Sequence, residues 1–440
     1  MSITIFWHRR DLRTEDNRGL SEALSHALQA GTKVRPVFIF DQNILSHLDP
    51  DDTRVPFLHS QVETMKETYK TWGCDFAVYY GDPVEIFQRI VSQHPVKSVF
   101  TNHDYEPYAR SRDEKVARFL KSKGVEFQSF KDQVIFEKSE VLSDSGKPYT
   151  VFTPYKKKWL AQLSSDLLRE QTVEKKKAAL MPLTTATPFP KLQEMGFTRT
   201  SFAYYPPLKF DKKMLQQYGE KRDFPALQNT SQLGLHFRFG TVSPRAAVKV
   251  AQSTNDVWLS ELIWREFFMQ ILFHHPRVEK ESFRLEYEKV EWRTEEKEFQ
   301  RWCEGTTGFP IVDAGMRQLN ETGYMHNRVR MIVASFLTKH LLMHWLKGER
   351  YFAKKLLDFD LSANNGNWQW AAGTGCDAAP YFRVFNPEAQ TEKFDENEEY
   401  IRKWVPEYKT LSYPQPMVDH KMARDRALRA FAKALKGKES

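Results

Sequence analysis

ITIFWHRRDLRTEDNRGLSEALSHALQAGTKVRPVFIF, residues 3–40, reads as strand, helix and strand in succession. Ile3–Trp7 and Val34–Phe40 are short apolar, partly β-branched runs, the pattern of buried strands. Between them Gly19–Gln29 has helix length, with the turn-former Gly31 beyond it. The alternation continues outward. Phe76–Tyr80, Val99–Thr101 and Val125–Phe127 predict further strands; Pro56–Trp72, Pro83–His94 and Arg112–Lys123 predict the helices between. Strands alternating with helices imply a parallel, doubly wound sheet, whose ligands sit at the carboxyl ends of the strands. No GxGxxG follows the first strand, so no dinucleotide site is expected there. The first apolar run is short and meets His8, Arg9 and Arg10 at once, which is a strand and not a signal peptide.

Over residues 131–205 the pattern fades. Lys156–Lys158 and Lys175–Lys177 are charge runs, and Pro182, Pro188 and Pro190 punctuate a Thr-rich stretch; this predicts a long connecting segment. Residues 206–440 read as helical and rich in Trp, Phe, Arg and His. The expected organisation is an α/β domain over 1–130, a linker over 131–205 and an all-α domain over 206–440. Met331–Trp345 is apolar but broken by Lys339, His340 and His344, so no membrane helix is expected.

Composition narrows the classes. Hydrophobic residues at 41% and charged residues at 28% exclude disordered and fibrous chains. Aromatics reach 14%, which suits the stacking of flat ligands and bases as well as a core. A net charge of +8 suits a polyanion partner without requiring one. Cys74, Cys303 and Cys376 lie far apart, so neither a disulfide framework nor a cysteine cluster site is expected, and a reducing cytoplasm fits.

Several strings carry chemistry. Ser243-Pro244 reads as an N-cap and first helical residue, whose free amides favour an anion; an ordinary capped helix reads the same way. Glu261, Trp264 and Arg265 fall at i, i+3 and i+4 on one helix face, joining an aromatic platform to a carboxylate; a plain amphipathic core helix also fits. Met325-His326-Asn327-Arg328-Val329-Arg330-Met331 sets two arginines and an amide among apolar neighbours, as a ligand contact or an ion-pair network does. His326 alone suits a hydrogen-bonded core histidine. His340 and His344 lack the glutamate of an HExxH motif, so no zinc site is expected. Asp358-Phe359-Asp360, Asn364-Asn365-Gly366-Asn367-Trp368-Gln369-Trp370 and Asp377–Pro387 are too polar for plain core and too aromatic for plain loop.

With these strings the chain resembles the photolyase/cryptochrome family, and within it the bacterial class I cyclobutane pyrimidine dimer photolyases. The resemblance runs from FWHRRDLRTEDN (6–17) through TGYMHNRVRM (322–331) to FNPEAQTEKFD (385–395). It implies an α/β antenna domain, a long linker and a helical FAD domain. Tyr218 and Thr230-Ser231-Gln232-Leu233-Gly234 match the family's FAD phosphate-binding positions. Asp358, Phe359 and Asp360 match positions beside the isoalloxazine and ribityl groups, Arg330 the partner of Asp358, and Asn364 the amide facing flavin N5. Glu261, Trp264, Asn327, Met331 and Trp370 match the pocket for a flipped dimer. Arg222, Arg328, Arg383 and Lys393 match phosphate contacts around the lesion. Trp368, Trp345 and Trp292 match a relay that reduces oxidised flavin under light. Glu106 resembles the folate-contacting acid of folate-using members, which puts methenyltetrahydrofolate slightly ahead of a deazaflavin or no antenna.

The resemblance thus implies a lyase in which light-excited, fully reduced FAD lends an electron to the dimer. UV-damaged DNA is the expected partner; a monomer with no metal and no membrane association is expected. A blue-light photoreceptor of the same family is the alternative. The plant receptors place an acid where Asn364 stands, and many receptors extend far beyond a segment such as Lys421–Lys438. Repair of the (6-4) photoproduct fits less well, since that branch has a histidine pair in the Asn327–Met331 region. The single-strand-preferring branch differs around NNGNWQW (364–370).

Overall fold

The computed structural model describes residues 2–184, 187–198 and 204–436. Five strands form one parallel sheet: β1 (Ile3–His8), β2 (Lys33–Asp41), β3 (Ala77–Gly81), β4 (Val96–Asn102) and β5 (Glu126–Phe130), in the order β3-β2-β1-β4-β5. Each expected strand is present, longer or shifted by a residue or more. Its crossover helices are Arg18–Ala30, Arg54–Thr71, Pro83–Gln93 and Pro107–Ser122. The last starts earlier than its apolar pattern, because Pro107 supplies a preset φ at the first helical position.

Side chains alternate across the sheet with the strand period of two. Ile3, Ile5 and Trp7 of β1 join Val37, Ile39 and Val99 in one core. Phe6 joins Phe38, Phe40 and Phe100 in the core of the other face. The polar residues of the second face are paired: the Thr4 hydroxyl lies 2.9 Å from that of Thr32 and 3.0 Å from that of Ser98. The strand order reverses beside β1, between β2 and β4, where a doubly wound sheet opens a crevice at its carboxyl edge.

The chain divides into two compact units that do not follow sequence order. One contains residues 1–137, 162–209 and 232–250; the other contains 138–161, 210–231 and 251–440. Residues 131–205 are not without structure, since a helix forms over Phe152–Gln162. Residues 232–250 cluster with the sheet. Arg245 explains much of this: its guanidinium donates to Asp16 at 2.8 Å and to Asp132 at 2.8 Å. Ser243 does cap the helix Pro244–Thr254, accepting from the Ala246 amide at 3.3 Å. Its hydroxyl donates to the Asp16 carboxylate, so the anion at this helix start is a side chain of the same unit.

The second unit is helical. Pro310–Thr322, Asn327–Ser335, Trp345–Lys355 and Leu361–Ala372 surround one core that includes Trp302, Phe336, Leu337, Trp345 and Trp368, and Asp256–His274 packs against the last of these helices. Gly366 allows two of these helices to touch: a Cβ there would lie 2.1 Å from the Phe268 ring. Among the described residues no helix is long and apolar enough to cross a membrane.

Candidate active site in the helical unit

Two cavities open in the helical unit. The inner one is walled by Arg330, Asp358, Phe359, Asp360, Asn364 and Trp368 among others. The outer one, about 860 Å3, is walled by Arg222, Glu261, Trp264 and Arg265. Asn327, Met331, Ala363, Asn367 and Trp370 line both. The cavities are therefore adjacent, divided by residues of two helices.

Local sequence places these groups. His326 caps the helix Asn327–Ser335 by accepting from the Arg328 amide at 3.2 Å. Burial pushes its pKa down to about 4, with Arg330 adding to the shift, so the imidazole is neutral and free to accept. It is the structural histidine its isolation suggested. The cap starts a helix turn that carries Asn327, Arg330 and Met331 toward the cavities. Asp360 caps the helix Leu361–Ala372, accepting from the Ala363 amide at 3.3 Å. Along that helix Asn364 and Trp368 are four residues apart, one above the other.

The inner cavity has a polar end. Arg330 donates to Asp358 Oδ2 at 2.9 Å and to the Met325 carbonyl at 2.7 Å. Asp358 Oδ1 is buried and has no hydrogen-bond partner. A buried carboxylate oxygen left unpaired is costly, and a ligand bearing N–H or O–H groups removes that cost. Asn364 donates both hydrogens of its amide nitrogen to Glu349, at 2.9 Å to the carboxylate and 3.1 Å to the backbone carbonyl. The donor set therefore fits FAD: an acid for a polar ring edge or ribityl hydroxyls, an amide oxygen, and the aromatic walls Phe359 and Trp370. On the same unit Thr230 Oγ1 lies 3.0 Å from the Tyr324 hydroxyl. The turn 230–234 crosses from the helical unit into the sheet unit at Gln232, where Gln232 has a φ of +51°. Leu233 is buried, and Gly234 begins the short helix Gly234–Phe239.

The outer cavity is amphipathic. Trp264 stacks on Phe152 at 3.6 Å between centroids and 8° between planes, so one indole face is taken by the protein. Glu261 is held by Arg222. Arg222 also lies 3.7 Å from Asp223, which Arg328 approaches to 2.9 Å. Arg222 lies over the Tyr218 ring at 5.6 Å and Arg328 over the Phe394 ring at 4.3 Å. Two of the four basic residues expected to meet phosphates are thus ion-paired within the unit. Arg383 and Lys393 are exposed.

Trp368 lines the inner cavity, Trp345 lies in the core, and the half-buried Trp292 packs against that core. Trp368 rests on the helix that Trp345 begins: a Cβ on Gly348 would lie 2.2 Å from the Trp368 ring. Trp345 is fully buried. His344 stands 5.6 Å from the Trp345 ring and 5.3 Å from Trp292, between centroids. Sequence reasoning did not single out Trp302, whose ring lies 6.1 Å from Trp368, nor Phe152, Asp223, Tyr324 or Glu349. Tyr324 lies in the quoted string TGYMHNRVRM without a role assigned to it; the others sit in unremarked helix or loop strings, and only the fold brings them to the site.

Glu106 belongs to the other unit. There a crevice of about 760 Å3 at the strand ends is lined by Trp7, Arg9, Arg10, Phe38, Phe40, Tyr108 and Arg112, with Glu106. Arg10 donates to Glu106 at 2.7 Å, and Arg238 donates to it as well.

Comparisons with known proteins agree with this geometry. The family model described as DNA photolyase matches residues 4–178, and that described as FAD binding domain of DNA photolyase matches 258–412. A Halobacterium salinarum protein named Deoxyribodipyrimidine photo-lyase is 37% identical, covering 98% of this chain and 99% of its own. Among solved structures, a bacterial class III photolyase from Agrobacterium tumefaciens has a TM-score of 0.88 at 34% identity, covering 99% of this chain and 98% of its own. An archaeal photolyase from Sulfolobus tokodaii, solved with two FAD molecules, has a TM-score of 0.83 at 32% identity, covering 98% of this chain and all of its own. Full-length identity at this level, with the inner cavity lined wholly from within the matched FAD-binding segment, shows that the chain belongs to the DNA photolyase family.

Proposed function

We propose that this protein repairs cyclobutane pyrimidine dimers in DNA as a light-dependent lyase, with FAD in the inner cavity and the flipped dimer in the outer one. The observation that carries this reading is the shared wall. Asn327, Met331, Ala363, Asn367 and Trp370 line both cavities, so a cofactor and a substrate held there would be neighbours. FAD supplies the light-driven electron that opens the dimer, and the electron returns without net redox change.

The chain's own residues bind and orient. Trp264 offers its remaining face to the extruded bases, and Trp370 and Met331 cover them. Glu261 accepts from a polar base edge once Arg222 turns toward a phosphate. A poorly stacked dimer costs only a few kcal/mol to extrude. Arg383 and Lys393 contact flanking phosphates, which positions the strand without reading its sequence. Trp368, Trp345 and Trp292 pass an electron inward when the flavin is oxidised.

A second, light-collecting chromophore fits the crevice of the sheet unit. Its walls suit a flat extended ring, and Arg9, Arg10, Arg112 and Arg238 suit an anionic tail. Folates and flavin-type rings both have this character, and the absorption spectrum of pigment released on denaturation separates them. The cytoplasm is the compartment that fits a DNA substrate and three buried free cysteines.

The test uses the FAD-loaded, chemically reduced protein with two duplexes, one carrying a cyclobutane dimer and one a (6-4) photoproduct. Light-dependent loss of the cyclobutane dimer alone is expected. Repair of only the (6-4) product, or of neither, would overturn the reading.

A further inference from the structure

Trp345–Lys355 and Leu361–Ala372 each present two functional groups four residues apart. Trp345 and Glu349 lie on one face of the first helix, and Asn364 and Trp368 on one face of the second. The two helices pack together at two points. Trp368 closes on Gly348, and Asn364 bonds Glu349 one turn away. The electron route and the cofactor-facing amide are thus held by the same two helices.

The hydrogen bonds of this pair determine what the amide shows to the inner cavity. An amide nitrogen has two hydrogens. In Asn364 one goes to the Glu349 carbonyl at 3.1 Å and the other to its carboxylate at 2.9 Å. A flipped amide would set its oxygen against a carbonyl that can never donate. What remains for the cavity that Asn364 lines is the acceptor Oδ1.

We propose that Glu349 is a positioning residue that fixes Asn364 with its carbonyl oxygen toward flavin N5, and so biases the bound cofactor toward its reduced state. The proposal rests on FAD occupying the inner cavity. Reduced flavin carries a hydrogen on N5, which donates to a fixed acceptor. Oxidised flavin has a lone pair there, which the same acceptor repels. A freely rotating amide would serve both states. Glu349 is buried, with 4% of its surface exposed. Burial pushes its carboxyl up to about 7; the Asn364 hydrogen bond and Arg350 oppose this, and Glu279, at the end of the 3-10 turn Pro276–Glu279, adds to it. The carboxyl therefore changes charge in the neutral range, beside a cofactor that becomes anionic on reduction. Reduction then draws a proton to Glu349.

The test is a redox titration of full-length, FAD-loaded wild type, Glu349→Gln and Glu349→Leu against pH, after FAD content has been measured. Gln keeps a side-chain acceptor for Asn364 but cannot titrate; Leu removes that acceptor and leaves the backbone carbonyl alone to hold the amide. Around pH 7 the wild-type potential should fall more steeply with pH than in Glu349→Gln. In Glu349→Leu the ratio of reduced to oxidised flavin at a given potential should drop about tenfold, which is about 30 mV for a two-electron couple. Leu and wild-type proteins with equal potentials at every pH would overturn the proposal. Should Glu349→Leu fail to fold, a Gln profile identical to wild type would overturn it. A wild-type protein that takes up no FAD would instead overturn the cofactor assignment beneath it.

Discussion

The inner cavity of the helical unit and the crevice of the sheet unit are both lined by acids, arginines and aromatic rings, yet they leave different groups unpaired. In the crevice the acids are partnered: Glu106 by Arg10 and Arg238, Asp41 by the Tyr108 hydroxyl at 2.8 Å. Among the described lining residues the buried atom without a partner is Trp7 Nε1. In the inner cavity it is a carboxylate oxygen, Asp358 Oδ1. An orphaned charged group costs more than an orphaned indole N–H. The first cavity is shaped around a ligand that donates hydrogen bonds; the second accommodates a flat ring without depending on it.

The comparison breaks most readily at Asp358. Asp358→Ala leaves the half-buried Arg330 without its carboxylate, which should cost about 1–3 kcal/mol and abolish FAD retention, with Asp358→Asn milder. Urea unfolding and flavin content measure both effects. Normal flavin content in Asp358→Ala would remove the distinction between the cavities.

Acid should weaken the helical unit through His326. Its folded pKa of about 4 lies below the usual histidine value of about 6.5, so the folded state favours the neutral ring. That contribution is complete above the unfolded pKa and is lost as pH falls from about 6.5 toward 4. At about 1.4 kcal/mol per pH unit it amounts to on the order of 3 kcal/mol. His326→Asn keeps a capping side chain and should flatten the stability profile across that window; an unchanged profile assigns the acid sensitivity elsewhere.

Under the proposed function, lesion recognition in the outer cavity and phosphate binding by the exposed basic residues can be measured apart. Trp264→Ala should remove about 1–3 kcal/mol of the preference for damaged DNA. Arg383→Ala should weaken binding to damaged and intact duplex alike and lower the log–log salt slope by about 0.9. Binding titrations at several salt concentrations distinguish the two patterns.

The smallest effect is expected in the crevice. Trp7→Phe removes a buried N–H that has no partner, so stability should change by about 1 kcal/mol. The second chromophore's content or spectrum should change, while repair driven by direct flavin excitation should not. Loss of that repair would show the crevice to be as essential as the inner cavity.

The sheet was legible because each strand is a compact apolar run and each crossover has helical length, which is local information. The family strings around Asn327–Met331 and Asn364–Trp370 identified the residues that turn out to wall both cavities. Pairing was not legible. Arg222 and Arg328 matched phosphate contacts, with an ion-pair network left open for Arg328; the partners, Glu261 and Asp223, come from elsewhere in the fold. Glu349 sits in Trp345-Leu346-Lys347-Gly348-Glu349-Arg350, a string that reads as an exposed charged helix; only packing against Asn364 makes it buried. The four-residue spacing from Trp345 was the available signal. Ser243-Pro244 read as an anion-binding helix start or an ordinary capped helix; Asp16, distant in sequence, takes the anion's place and, with Asp132, holds Arg245.

The adjacency of the two cavities in the helical unit is tested most directly by emission from the reduced, FAD-loaded protein carrying no second chromophore. Added duplex with a cyclobutane dimer should quench flavin emission in the wild type, and an intact duplex should not. The quenching should fall away in Trp264→Ala at concentrations that saturate the wild type. Emission unchanged by a bound dimer-containing duplex would contradict the account, because flavin and dimer would then not be neighbours across the wall formed by Asn327, Met331, Ala363, Asn367 and Trp370.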